Sequence, residues 1–152
     1  MMIPERPSLE RRVLAALDGS AGSGSRIPVV LGGCGTGRTS LLLRLRDLIG
    51  RSSAQYVDVE RIATTPERFF KSLRDDSPFA PGPFGQAGTG DTGARGAFDA
   101  ALAFLDTVRA AGDVPATFLL DEFLEVRTFE SFPGLRRVLY ELVEGLAATG
   151  NR

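Results

Sequence analysis

The chain has 152 residues, 43% of them hydrophobic and 24% charged, and a formal net charge of -1. This length and composition suit one globular domain, and the near-neutral charge gives no argument for nucleic acid or an anionic membrane as a partner. The single cysteine excludes an internal disulfide. The lack of histidine excludes Ser-His-Asp catalysis, Cys-His catalysis and His-ligated zinc.

The N-terminal stretch "MMIPERPSLERR" is charged and has no apolar core segment, so we expect no signal peptide. The apolar runs are much shorter than the roughly 20 residues of a membrane helix. The sequence therefore predicts a soluble cytoplasmic protein without a membrane partner.

The first predicted unit, residues 1–26, is an N-terminal helix followed by a flexible connector. Apolar residues repeat at helical spacing over 8–17, where Ser8 is placed to cap the helix and Gly19 to end it. The connector is the Gly/Ser-rich stretch 19–25.

The second predicted unit, residues 27–152, alternates strands and helices. The patterns predict a buried strand at 27–32, a helix at 39–49, a strand at 54–62 and a helix from Pro66 that Thr65 caps. Further along they predict a helix from about 97, a buried strand at 116–123 and a helix at 134–149. Such alternation is typical of an α/β protein with a mostly parallel sheet.

Residues 77–96 contain six glycines and three prolines, so we predict a long loop or a disordered insertion there. Phe79 and Phe84 lie in this loop and are candidates for a docking contact.

Residues 32–40, "GGCGTGRTS", have the spacing of a phosphate-binding loop, with arginine where the pattern has lysine. Small side chains allow backbone N–H groups to surround a phosphate, and the following helix favours an anion at its N-terminus. A glycine-rich turn without a ligand is the alternative. The candidate phosphate-binding residues are Gly32, Gly33, Cys34, Gly35, Thr36, Gly37, Arg38, Thr39 and Ser40. For Cys34, a small residue that fits the turn is favoured over a reactive thiol.

The apolar run "TFLL" leads into Asp121 and Glu122. Ligands bind at the carboxyl edge of parallel sheets, so we expect Thr39 and Asp121 to hold Mg²⁺ and Glu122 to orient or deprotonate water. The alternative is a strand that ends in a solvated acidic turn.

With these two motifs the chain resembles a P-loop ATPase of the AAA-plus and STAND group, in particular the archaeal-type and origin-recognition-like ATPase domains. "LGGCGTGRTSLL" matches Walker A and "TFLLDEF" matches Walker B. The resemblance implies a P-loop three-layer α/β/α fold with a parallel sheet that binds ATP and Mg²⁺, with Glu122 and Arg38 as catalytic residues.

The chain departs from this family in three ways. Arg38 replaces lysine, the Gly/Pro-rich stretch 77–96 lengthens the gap between the motifs, and the chain ends where the family's fourth strand begins. The fold is thus expected to be incomplete at its C-terminus, with an attached C-terminal domain or a homo-oligomer supplying further parts.

Two functions from different classes remain open. The first is an ATPase module that couples Mg²⁺-dependent ATP hydrolysis to a conformational or assembly change. The second is a switch or scaffold that binds ATP or ADP with little hydrolysis, because arginine is longer and planar where lysine is compact. A P-loop phosphotransferase is a third, weaker reading.

Overall fold

The computed structural model describes residues 5–19, 27–79 and 93–152, which form a mixed α/β structure as predicted. The helices are α1 (Pro7–Asp18), α2 (Arg38–Ile49), α3 (Val59–Ile62), α4 (Pro66–Asp75), α5 (Ala94–Thr107) and α6 (Val138–Ala148), with a 3-10 helix at Phe123–Ser131. The strands are β1 (Ala54–Asp58), β2 (Arg109–Ala110), β3 (Val114–Pro115) and β4 (Thr117–Asp121). Over the described ranges, every helix is too short or too polar to cross a bilayer.

The strands β1 and β4 form a small parallel sheet. Their register runs from Ala54 opposite Thr117 to Asp58 opposite Asp121, so both strands end at the same edge. Because successive side chains alternate between faces, Ala54 and Leu119 share one face and Val57 lies on the other. The predicted parallel sheet is therefore confirmed for these two strands.

Each face of this sheet is covered by its own hydrophobic cluster. Leu41 and Leu45 of α2 pack with Ala54 and Leu119, and apolar residues of α1 lie against them. The larger cluster lies on the opposite face and joins β1 to α4, α5, α6 and the 3-10 helix. Its largest fully buried side chains are Phe69, Phe98, Phe129, Leu73, Leu135 and Leu142.

The prediction of a buried strand at 27–32 is wrong, because these residues have no strand pairing within the described structure. Val30 packs against the α2 cluster, but Val29 is 56% exposed and Leu31 is 88% exposed. An apolar run becomes a strand only when a neighbouring backbone pairs with it, and none of the described segments does so here.

The backbone of Arg152 lies along the edge of β4 that faces away from β1. Its N–H donates to the Ala116 carbonyl at 2.8 Å, and its carbonyl accepts from the Phe118 N–H at 2.7 Å. These two bonds are the pattern of a parallel bridge opposite Thr117. The Arg152 side chain also pairs with Asp18 of α1 at 2.9 Å, which ties this end of the chain to the first helix.

The helix ends agree with the sequence only in part. Thr65 caps α4 as predicted, since its hydroxyl accepts from the Arg68 N–H at 3.1 Å. Ser8 does not cap α1, which starts one residue earlier at Pro7 without a side-chain cap.

The predicted strand 54–62 ends at Asp58, whose side chain caps the short helix α3 by accepting from the Arg61 N–H. A polar side chain at the strand end thus competes with strand extension.

The remaining differences concern the second half of the chain. The hairpin of β2 and β3 and the 3-10 helix were not predicted from the sequence. Of the predicted loop 77–96, residues 80–92, including Phe84, lie outside the described residues. Phe79 is buried against Phe118, with ring centroids 5.5 Å apart, so its assignment as a docking residue is wrong.

Candidate functional site

The glycine loop connects residues 27–31 to the start of α2, and most of it is exposed. Gly37 immediately precedes the helix with φ 80°, a left-handed conformation that favours glycine. Gly32 lies so close to Thr36 that an added Cβ would come within 2.5 Å of its hydroxyl oxygen. Glycine at these two positions therefore has a structural reason that does not depend on a ligand.

Several backbone N–H groups at the start of α2 are free to bind an anion. The groups of Gly35, Gly37, Arg38 and Thr39 have no acceptor among the described residues. The first N–H groups of a helix lack intrahelical acceptors, and the helix dipole makes that end positive. The start of α2 can therefore offer these donors to an anion.

Two contacts hold the outer part of the loop in shape. The Thr36 hydroxyl donates to the Gly33 carbonyl at 2.8 Å, and Arg6 donates to the Thr36 carbonyl at 2.9 Å. Thr36 thus has a role within the loop itself, which adds to its predicted place in phosphate binding.

Thr39 and Asp121, which are 82 positions apart in the sequence, are in direct contact. The Thr39 hydroxyl donates to Asp121 Oδ2 at 2.6 Å. Asp121 is the last residue of β4 and is buried, whereas Thr39 lies in the first turn of α2 and is exposed. The structure therefore brings together the two residues that the sequence assigned to a metal ion.

Tyr56, which the sequence reasoning missed, is also part of this site. Its hydroxyl donates to the same Asp121 Oδ2 at 2.9 Å. Burial first, and then this hydrogen bond, raise the pKa of Tyr56 well above its ordinary value, so the phenol keeps its proton. Tyr56 lies opposite Leu119 in the sheet, and Asp121 is two residues further along β4 on the same face. The long Tyr56 side chain reaches across this distance. Only the strand register, which local sequence patterns do not reveal, indicates this contact.

Arg38 and Glu122, the two predicted catalytic residues, form an ion pair. Arg38 Nη2 lies 2.7 Å from Glu122 Oε1, and the two side chains are 31% and 39% exposed. The guanidinium of the arginine that replaces the expected lysine therefore contacts the acid that follows β4. A bound phosphate and Glu122 would compete for this one cation.

The backbone of Glu122 is left-handed, with φ 52° and ψ 41°. This conformation costs a non-glycine residue about 1–2 kcal/mol. It turns the chain sharply from β4 into the 3-10 helix and directs the Glu122 side chain toward the glycine loop. Backbone strain of this kind often occurs at functional sites.

The other predicted residues lie near this site without contacts that define a role. Cys34 is exposed and Ser40 is half-buried in the first turn of α2. Gly33 has open space around it, so the described structure does not itself require glycine there.

The donor set fits magnesium better than a metal held by protein alone. Across the described residues, no three His, Cys, Asp or Glu side chains converge on a common point. Mg²⁺ in nucleotide sites uses one or two protein ligands and takes its other ligands from phosphate and water. One carboxylate and one hydroxyl beside a glycine loop with free N–H groups match that requirement.

Comparison with protein-family models, with curated proteins and with solved structures finds no match for this chain. The assignment of a function therefore rests on the chain's own residues and their geometry.

Proposed function

We propose that this chain is a nucleotide-binding module that binds ATP together with Mg²⁺ through a P-loop fold of three α/β/α layers. The observation that carries the proposal is the 2.6 Å contact between Thr39 and Asp121. Two motifs selected independently, one for phosphate and one for metal, lie side by side at the carboxyl edge of a parallel sheet, where such ligands bind.

The proposed roles follow from where each group lies. The free N–H groups of Gly35, Gly37, Arg38 and Thr39 would hold the phosphates. The Thr39 hydroxyl and Asp121 would hold Mg²⁺. When bound, Mg²⁺ neutralises charge that develops on the phosphate oxygens. Glu122 would orient a water molecule once Arg38 turns from it toward phosphate.

The experiment is equilibrium binding of a fluorescent ATP analogue to the whole chain, with Mg²⁺ and with EDTA. We expect Mg²⁺-dependent binding that weakens at least tenfold in Arg38→Ala, while Thr39→Ala loses most of the Mg²⁺ dependence. Arg51→Ala and Thr107→Ala are matched controls, because both residues are exposed and bond only within their own segments.

A folded chain that does not bind the analogue would overturn the proposal. Equal weakening by the control variants would also count against it, because the effect would then not be specific to the glycine loop.

The ion pair of Arg38 with Glu122 favours the second candidate, a switch or scaffold that binds nucleotide and hydrolyses it slowly. In this pair the guanidinium holds Glu122 Oε1, so the carboxylate is less free to turn toward a water molecule. In Arg38→Lys the shorter side chain with its compact ammonium is expected to stay with the phosphate and not to reach Glu122, which leaves the carboxylate free.

Phosphate release from ATP by the parent chain and by Arg38→Lys separates the two candidates. A scaffold restrained by Arg38 hydrolyses ATP slowly and gains turnover in Arg38→Lys. An ATPase that uses Arg38 loses turnover in the same variant. Glu122→Gln should bind the analogue normally and be inactive in both cases.

A further inference from the structure

The strand β1 contributes a side chain to the edge of the sheet where the glycine loop and β4 meet. Tyr56 is half-buried in the middle of β1, and its hydroxyl reaches Asp121 Oδ2. Neither Walker motif includes this position, so the contact adds a third segment of the chain to the candidate site.

The two donors on Asp121 leave one of its oxygens available. Oδ2 accepts from both Thr39 and Tyr56, while Oδ1 has no hydrogen-bond partner within the described residues. A carboxylate held by two donors at one oxygen cannot rotate freely about its last bond. Its other oxygen therefore keeps a fixed direction.

We propose that Tyr56 is a positioning residue that orients the Asp121 carboxylate for Mg²⁺ in the nucleotide site. This inference rests on the proposed function. Groups that hydrogen-bond to a metal-binding carboxylate commonly set its orientation, and their loss lowers metal affinity by about 10–100-fold. Thr39 would still donate to Asp121 without Tyr56, so we expect the loss of metal affinity to be near the lower end of this range.

The matched pair Tyr56→Phe and Tyr140→Phe tests this role. The chain has two tyrosines, and Tyr140 lies on α6, where its hydroxyl contacts Glu144. Both variants remove one hydroxyl and keep the ring, so the packing is preserved. Binding of the fluorescent ATP analogue is titrated with Mg²⁺ at fixed nucleotide and separately measured in EDTA.

We expect Tyr56→Phe to raise the Mg²⁺ concentration at half-saturation by about tenfold. Affinity for the analogue in EDTA should stay as in the parent chain, and Tyr140→Phe should match the parent in both measurements. A merely structural role for the hydroxyl would lower the melting temperature and leave the Mg²⁺ requirement unchanged.

A spectroscopic readout adds a test that is independent of affinity. The chain has no tryptophan, so in Tyr140→Phe the only tyrosine absorption is that of Tyr56. Adding Mg²⁺ to this ATP-loaded variant should shift the tyrosine band, because the Tyr56 hydroxyl contacts the carboxylate that receives the metal.

The outcomes separate this inference from the proposed function. Suppose that the parent needs Mg²⁺ for tight binding and that Tyr56→Phe is half-saturated at the same Mg²⁺ concentration. The positioning role is then wrong, and the nucleotide site stands. If the parent does not bind the analogue, both proposals fail. Asp121→Asn, which removes the ligand charge itself, should abolish the Mg²⁺ dependence and sets the largest effect to expect.

Discussion

A few side chains determine the chemistry of the candidate site, and they come from three separate segments. Asp121 is contacted by Thr39 from the glycine loop and by Tyr56 from the neighbouring strand, and Glu122 is contacted by Arg38. These polar contacts lie at one edge of the sheet, so a single substitution there affects an interaction between segments distant in sequence.

Tyr56 should make the stability of the metal-free chain sensitive to alkaline pH. Its pKa is raised above the ordinary value of 10.0, first by burial and then by Asp121. The native state thus keeps a proton that the unfolded chain releases. The stabilisation is complete below about pH 10 and falls as pH rises above it.

Urea unfolding measured between about pH 9 and pH 11 tests this expectation. Tyr56→Phe should show a smaller loss of unfolding free energy over this range than the parent chain. Tyr140→Phe should resemble the parent, because Tyr140 is exposed and its interaction with Glu144, which also raises its pKa, is screened by solvent. If the free energy of unfolding fell equally with pH in the parent and in Tyr56→Phe, the prediction would be contradicted.

At the scale of elements, α2 supports the site by packing its apolar side against the sheet. Leu45 is fully buried between α2 and the strands, whereas Leu48 on the same helix is 51% exposed. The position of the first turn of α2, and so of the glycine loop, depends on this packing.

We expect Leu45→Ala to lower the free energy of unfolding by about 2–5 kcal/mol, because it removes buried methyl groups and leaves a cavity. Leu48→Ala should change it by less than about 0.5 kcal/mol, since an exposed side chain is shortened without a cavity. Chemical denaturation of the two variants beside the parent is the measurement. Equal effects would mean that α2 does not pack on the sheet as described.

The sequence predicted the parts of the site that depend on local spacing. The glycine loop, Thr39, Asp121 and Glu122 follow from short motifs, because the first motif lies where α2 begins and the second lies where β4 ends. The Tyr56 contact depends on the register between β1 and β4, which are separated by more than 50 residues and leave no local pattern.

Two elements show where local patterns failed. The run at 27–32 has the composition of a strand but lacks a partner in the described structure, and pairing cannot be read from composition. The hairpin of β2 and β3 has only two residues in each strand, too few for a visible alternation. Its turn contains Gly112 and Asp113, both at positive φ, and this Gly-Asp pair was a signal that could have been found.

For the whole molecule, the exposed apolar residues near the glycine loop predict self-association. Val29 is 56% exposed, and Leu31 beside it is more exposed still. Apolar side chains in a segment without strand pairing favour association between copies.

Val29→Lys should therefore shift the chain toward the mass of one copy when sedimentation is measured at increasing concentration. Leu124→Lys is the control, because Leu124 is similarly exposed, at 54%, but lies in the 3-10 helix. Equal sedimentation of the parent and Val29→Lys would show that this segment does not drive association.

The bridge between Arg152 and β4 has a practical consequence for handling the protein. A parallel strand that starts opposite Thr117 runs in the direction of Asp121. An affinity tag or fluorophore joined directly after Arg152 would thus be led along the sheet edge toward the glycine loop. For binding measurements a tag at either end needs a long flexible spacer, because Arg6 near the N-terminus also contacts the glycine loop at Thr36. A dye placed close to Arg152 would instead test the proposed nucleotide binding.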